Sequence, residues 1–191
     1  MTRIIAGVHG GRKLAAPPGA QTRPTADRVR EAYFSALGTM VDLEGARFVD
    51  LYAGSGAVGL EALSRGAGHA LLVESDAKAA RAVRDNIVTL RAGDAARLVT
   101  GKVLQVLAGP PEGGPFDVVF ADPPYALGDD EITAVQEALV SNGWLAEDAV
   151  VTFERSTRTV VRGQPLSWVD GITADRSRRY GETTLWYGRR S

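Results

Sequence analysis

The sequence contains no cysteine. That excludes a disulfide framework, a thiol nucleophile, a zinc knuckle and a cysteine-ligated iron–sulfur cluster. Only two histidines are present, His9 and His69, which excludes a histidine-rich metal site. No apolar run reaches the ~18–20 residues that span a bilayer, and the opening MTRIIAGVHGGRK has no signal-peptide core. A protein of a reducing compartment is expected, with the cytoplasm as its location and no membrane or metal partner. The 191 residues are 45% hydrophobic and 24% charged, the balance of an ordinary globular chain, and suit a single domain with a small appendage.

Lysine is scarce, with 3 against 19 arginines, a bias that genome composition alone can produce. The basic groups are also segregated. Residues 1–30 carry six of them (Arg3, Arg12, Lys13, Arg23, Arg28, Arg30) against Asp27, and residues 155–191 carry eight arginines against three acids. Residues 31–154 carry 8 basic and 19 acidic groups, and no Lys or Arg occurs from Val103 to Glu154. Either end alone reads equally well as a solvated face. Two basic ends around an acidic middle suit a polyanion held beside a pocket for something cationic.

The middle alternates. Short apolar, β-branched runs at 47–52, 70–74, 97–100, 116–121 and 149–153 read as strands. Between them, 57–65, 76–91 and 130–140 read as helices, with Gly66 and Gly143 as stops. In 76–91, Ala80, Val83, Ile87 and Leu90 share a face, while Arg81, Arg84, Asp85 and Arg91 point outward. Buried strands separated by helices predict βαβ units and a doubly wound α/β fold with a parallel sheet. The ends differ. Residues 3–15 read as a hairpin turning at Gly10-Gly11, and Thr25 as the N-cap of a helix to about Leu37. After Glu154 the segments 158–162, 165–172 and 183–187 read as strands.

Gly54, Gly56 and Gly59 form a G-x-G-x-x-G after the first core strand, and Glu74 ends the next strand roughly 20 residues on. That pattern fits NAD and S-adenosylmethionine (SAM) equally, and a purely structural tight turn as well. Asp50 shifts the balance, because a carboxylate four residues before Gly54 repels a pyrophosphate and suits an ammonium group. Its other reading is a cap on the turn.

Asp122-Pro123-Pro124-Tyr125 follows the fourth core strand, at the carboxyl edge where open α/β sheets bind ligands. Each residue alone is explained by turn chemistry. Together they suit methylation of a planar amino group, a poor nucleophile because its lone pair is delocalised. Asp122 and the carbonyl of Pro123 can each accept one N–H bond, aiming the lone pair at a sulfonium methyl. The two prolines preorganise those acceptors, and Tyr125 offers a stacking face. An in-helix base has first to be flipped out.

The chain resembles the RsmD family, SAM-dependent methyltransferases of a guanine N2 amino group in 16S rRNA. The likeness runs through Arg23–Glu31, Phe48–Ala67, Val73-Glu74, Asn86, Asp122–Tyr125 and Tyr180-Gly181. The Asp-Pro-Pro-Tyr tetrad is shared with DNA amino-methyltransferases, while the Arg-Pro-Thr segment ahead of the glycine loop is more specific to the family. The resemblance implies a Rossmann-like class I methyltransferase with a largely parallel seven-stranded sheet. It divides into an RNA-gripping hairpin extension (1–20) and a methyltransferase domain (21–191) acting as a monomer.

It implies catalytic roles for Asp122, Pro123, Pro124 and Tyr125, and SAM contacts from Asp50, Ala53, Gly54, Ser55, Gly56, Glu74, Ser75, Lys102 and Val103. Contacts to 16S rRNA or the small ribosomal subunit are expected from Arg12, Lys13, Arg23, Thr25, Arg28, Arg178, Arg179 and Tyr180. Where the family commonly has Asn or Asp near the adenine, this chain has Lys102, whose ammonium only donates. The adenine is then read by backbone around Lys102 and Val103, or held less tightly. Other readings are a DNA or other RNA amino-methyltransferase, a nucleotide-binding oxidoreductase, or a non-catalytic ribosome-binding module.

Overall fold

A computed structural model describes residues 2–19, 24–124, 126–156 and 165–191, with Pro24 and Thr25 described by backbone alone. The chain runs α1 (Pro24–Leu37), β1 (Arg47–Leu51), α2 (Ala57–Ser64), β2 (His69–Glu74), α3 (Ala77–Thr89), β3 (Ala96–Thr100), α4 (Val103–Leu107), β4 (Phe116–Ala121), α5 (Asp129–Ser141), β5 (Leu145–Ser156), β6 (Ile172–Tyr180) and β7 (Thr183–Arg190). One seven-stranded sheet has the order β3-β2-β1-β4-β5-β7-β6. The first five strands pair in parallel, and β7 runs antiparallel to both β5 and β6. This is the Rossmann-like class I methyltransferase arrangement. Its strand order reverses between β1 and β4, which opens a crevice at their carboxyl ends.

The two-residue period of a strand sorts the core. Val49, Leu51, Val119, Ala121, Val151 and Phe153 face α4 and α5, joining Leu107, Val135 and Leu139. Phe48, Val118, Phe120 and Val150 face the other way, onto Tyr33, Phe34 and Leu37 of α1. Leu60, Leu72 and Val83 continue that second face with Ile4 and Leu14 of the amino-terminal segment. Burial on both faces is why the strands read as continuous apolar runs. Helices stop where expected: Gly66 (φ +117°) and Gly143 (φ +78°) take the left-handed position just past the caps of α2 and α5.

The amino-terminal hairpin is short: an antiparallel bridge joins Arg3 to Lys13, flanked by Ile4 N–H to Arg12 O and Leu14 N–H to Thr2 O. It docks on helices instead of extending the ladder, because Glu61 and Ser64 of α2 take up its backbone polar groups. Thr25 is not the N-cap of α1: the helix begins at Pro24, whose fixed φ suits the first turn. Residues 165–172 are not a strand. Gln136 bonds Ser167 O and Val169 N–H with its side-chain amide, and regular pairing starts only at Ile172. The short α4 and the arginine-bearing β6 were not anticipated, α4 being five residues long and β6 exposed along nearly its whole length. Segment 158–162 lies outside the described residues. No helix among the described residues is long and apolar enough to cross a membrane.

The amino-terminal segment is pinned by one buried carboxylate. Glu61 of α2 is 0% exposed and accepts Ile5 N–H (2.8 Å) and Ala6 N–H (3.0 Å). It also pairs with Arg30 (3.4 Å) and Arg65 (2.9 Å). Arg30 in turn donates to Arg3 O. Removing Glu61 leaves the buried Arg30 with only Asp27 (3.4 Å) as its acidic partner and strips the acceptor from two backbone N–H groups, a disruption of the kind that costs about 3–5 kcal/mol. Glu61→Ala is therefore expected to lower unfolding stability by roughly that amount in urea titration. A loss below about 1 kcal/mol contradicts the network's role.

Candidate active site

Tyr52 (φ 60°), Gly54 (φ 59°) and Gly56 (φ 83°) all adopt left-handed backbone, turning the chain sharply from β1 into α2. Glycine takes this conformation without strain, while Tyr52 adopts it against its own preference. Gly56 is the N-cap of α2 and has no side chain to bond the helix's first N–H groups. Asp50 does so from β1: its Oδ2 accepts Gly59 N–H at 2.9 Å. A Cβ on Gly59 would come within 3.0 Å of Leu72 Cδ2 and 3.2 Å of Asp50 Cβ, so the glycine lets α2 lie this close to the strand. Asp50 is 1% exposed. Burial is the largest cause that raises its carboxyl well above the usual range. The Gly59 bond opposes that shift, and the negative charges of Asp122 and Glu74 add to it.

Glu74, at the end of β2, ties the loop down. Its Oε1 accepts Gly54 N–H and its Oε2 accepts Asp76 N–H, both at 2.8 Å. Ala53 N–H bonds Val73 O, and Asn86 of α3 donates to Ser55 O (2.8 Å) and Ala15 O (2.9 Å). Asn86 thus links the glycine loop to the amino-terminal segment.

A cavity of about 320 Å³ opens beside Glu74. Of the nine residues expected to hold the cofactor, Glu74, Ser75, Lys102 and Val103 line it. Asp50 lies beneath the glycine loop, and Ala53, Gly54, Ser55 and Gly56 form that loop at the cavity's border. Tyr52, Leu127 and Glu131 complete the wall and were missed from sequence. The positive φ of Tyr52 has no sequence signature, and Glu131 reads simply as helix-start acidity on α5.

A second cavity, of about 230 Å³, is lined by Asp122, Pro123, Pro124, Glu154, Arg155, Ser156 and Thr183. Pro124 lines both. Asp122 keeps a solvent-facing side, yet the protein crowding it strips enough water to push its carboxyl up to about 6, against the pull of Arg155. Arg155 is 3% exposed and donates to Leu127 O at 3.2 Å. Tyr125 lies outside the described residues.

The expected RNA contacts do not converge. Arg12 and Lys13 are exposed on the amino-terminal segment, with Arg12 Nη2 bonded to Thr89 O of α3 at 2.7 Å. Arg28 is exposed on α1. Arg178 and Arg179 are exposed on the edge strand β6, beside the partly buried Tyr180. Tyr180 pairs with Thr183, which pairs with Ser156, so this group reaches the second cavity. Arg23 lies outside the described residues, and Thr25 is placed only by its backbone in α1.

Known proteins share this arrangement. The model of the family described as Conserved hypothetical protein 95 matches residues 2–189. Ribosomal RNA small subunit methyltransferase D of Escherichia coli K12 is 41% identical over 166 residues, which is 87% of this chain and 80% of that protein. The protein of the same name from Haemophilus influenzae is 37% identical over 155 residues, 80% of this chain and 77% of its own. A solved structure, "Putative methyltransferase yhhF from Escherichia coli", superposes with a TM-score of 0.84 at 38% identity, over 100% of this chain and 98% of that one. The chain belongs to this family, the RsmD methyltransferases.

Proposed function

We propose that this methyltransferase moves the methyl group of SAM onto the exocyclic N2 amino group of a guanine in 16S rRNA of the small ribosomal subunit. The observation that carries the reading is the meeting of two cavities at Pro124. One suits a cofactor and the other, lined by Asp122 and Pro123, suits a base. The chemistry of the first cavity fits SAM, whose ammonium and sulfonium are cationic: Glu74 and Glu131 line it, and Asp50 lies behind the loop. Glu74 is assigned to the ribose hydroxyls. Bound there, SAM supplies an electrophilic methyl. A pyrophosphate would face the same acids and be repelled, which disfavours the oxidoreductase reading.

At the second cavity, the ionised Asp122 accepts one N–H of the target amino group and the carbonyl of Pro123 accepts the other. Both bonds strengthen as the nitrogen becomes pyramidal, so they act mainly on the transition state. The nitrogen lone pair forms the new N–C bond, the C–S bond breaks with its electrons going to sulfur, and one N–H proton is then released. S-adenosylhomocysteine leaves. Tyr125 is assigned base stacking, and Arg12, Lys13, Arg23, Arg28, Arg178 and Arg179 are assigned phosphate contact. The enzyme acts in the cytoplasm as a monomer, with the first 20 residues as its grip on RNA.

Asp122→Ala is expected to leave SAM affinity within about twofold and to lower methyl transfer to unmethylated small subunits by roughly 10²–10³-fold. Transfer at the wild-type rate overturns the mechanism. Because an ionised Asp122 accepts a stronger, charge-assisted bond than its neutral acid, and its carboxyl is pushed up to about 6, wild-type activity is expected to fall as pH is lowered through that value.

Asp50→Asn separates stability from function. The raised carboxyl of Asp50 means that the folded chain holds its proton more tightly than the unfolded chain, so the ionised group costs stability as pH rises. Asparagine keeps an acceptor for Gly59 N–H without the charge. Asp50→Asn is therefore expected to melt no lower than wild type at pH 7, with the difference closing as pH falls toward 4. SAM affinity should drop roughly tenfold, since a nearby negative charge is lost. Calorimetric melting and titration calorimetry read the two effects, and unchanged SAM affinity would contradict the electrostatic role.

A further inference from the structure

Glu154 has no part in the mechanism above, yet it lines the acceptor cavity. It follows Phe153, which pairs with Ala121 in the parallel β4–β5 ladder. Continuing that register by one residue sets Glu154 beside Asp122 on the same side of the sheet, at the strand spacing of ~4.8 Å. Glu154 is half-buried, and among the described residues none hydrogen-bonds its carboxyl: burial and the charges of Asp122 and Asp50 act on it. Two carboxyls thus stand side by side at the cavity, and only Asp122 has been given a partner.

Base chemistry supplies the other partner. An exocyclic amino group alone does not identify a base, because adenine and cytosine have one too. The neighbouring ring nitrogen differs. In guanine it is a donor, N1–H, whereas in adenine and cytosine it is an acceptor. A carboxylate only accepts, so beside Asp122 it bonds guanine and repels the lone pair of the other two. This argument rests on the amino-methylation reading given above. We infer that Glu154 selects guanine, its carboxylate accepting the ring N1–H while Asp122 and the Pro123 carbonyl hold the N2 amino group.

The inference makes a pH dependence. Before the base binds, burial first, then Asp122 and Asp50, push the Glu154 carboxyl up to about 8. Among the described residues, the other charged groups on neighbouring positions are Arg155, next along β5, and Arg178 of β6, which pairs with Leu185, the β7 residue opposite Glu154; Glu182 lies just before Thr183 of the cavity wall. Below that value the acid is neutral, and its carbonyl oxygen accepts the N1–H more weakly than the charge-assisted carboxylate does. The carboxylate form, and with it kcat/KM, therefore grows as pH rises from 7 toward 8.5. Because Asp122 and Glu154 interact, the two limbs of the profile belong to the pair.

The experiment measures kcat/KM for labelled-methyl transfer to unmethylated small subunits between pH 6 and 8.5, for wild type, Glu154→Gln and Glu154→Ala. SAM binding by each variant serves as the check on folding. Glu154→Ala is expected to lose ~10–100-fold with SAM affinity kept, the size of one base-reading interaction. Glu154→Gln retains an accepting carbonyl at every pH. It should keep most of the activity and lose the rise above pH 7. Wild-type behaviour by Glu154→Ala, or a rise above pH 7 persisting in Glu154→Gln, overturns the inference and leaves amino methylation standing. If wild type methylates no guanine at all, the amino-methylation reading falls and this inference with it.

Discussion

A buried carboxylate held against the start of a helix organises this molecule. Asp50, at 1% exposure, accepts Gly59 N–H and so stands in for the side-chain cap that Gly56 lacks. An ionised group in that position is unfavourable to bury, and its raised carboxyl reflects the cost. The bond fixes how α2 leaves β1, and that exit sets the shape of the glycine loop. The loop's Gly54 N–H then reaches Glu74 across the gap between β1 and β2. A neutral residue could cap the helix as well. The negative charge makes sense only with a cation to meet it, and the proposed cofactor, SAM, would bring two.

The carboxyl edge of the sheet is where cofactor and base are proposed to meet. β1 and β4 are neighbours whose connections leave in opposite directions, so the residues after each strand face one crevice. Pro124 belongs to the walls of both cavities there. Consecutive prolines have little backbone freedom to lose, which suits the acceptor roles proposed for Asp122 and the Pro123 carbonyl. On the other side of the glycine loop, Asn86 ties Ser55 to Ala15. The segment expected to grip RNA and the loop expected to hold SAM therefore share a buried side chain.

Much of this was legible in the sequence because the relevant signals are local. Strands buried on both faces appear as apolar runs, Gly66 and Gly143 mark helix ends, and Gly54, Gly56 and Gly59 announce the loop. The tetrad is contiguous and announces itself too. What escaped depends on contacts between distant residues. Glu61 looks like one more helix acid until Ile5 and Ala6 are seen on it. Residues 165–172 have strand-like composition, but Gln136, far away in sequence, satisfies their backbone and keeps them out of the ladder. Glu154 reads as the polar end of a strand, and only the β4–β5 register puts it beside Asp122. Asp50 was read in two ways from sequence, and its bond to Gly59 matches the capping one, with the charge left to explain by function.

The central claim is that the crevice at Pro124 methylates the amino group of a guanine in ribosomal RNA. Its most direct test is to offer labelled SAM with unmethylated small subunits, naked 16S rRNA and duplex DNA in parallel, then digest each and identify the modified nucleoside by mass. N2-methylguanosine from a ribosomal substrate is the predicted result, and the substrate that yields it shows which assembly state is recognised. Label found only in DNA, or on any base other than guanine, would contradict the account.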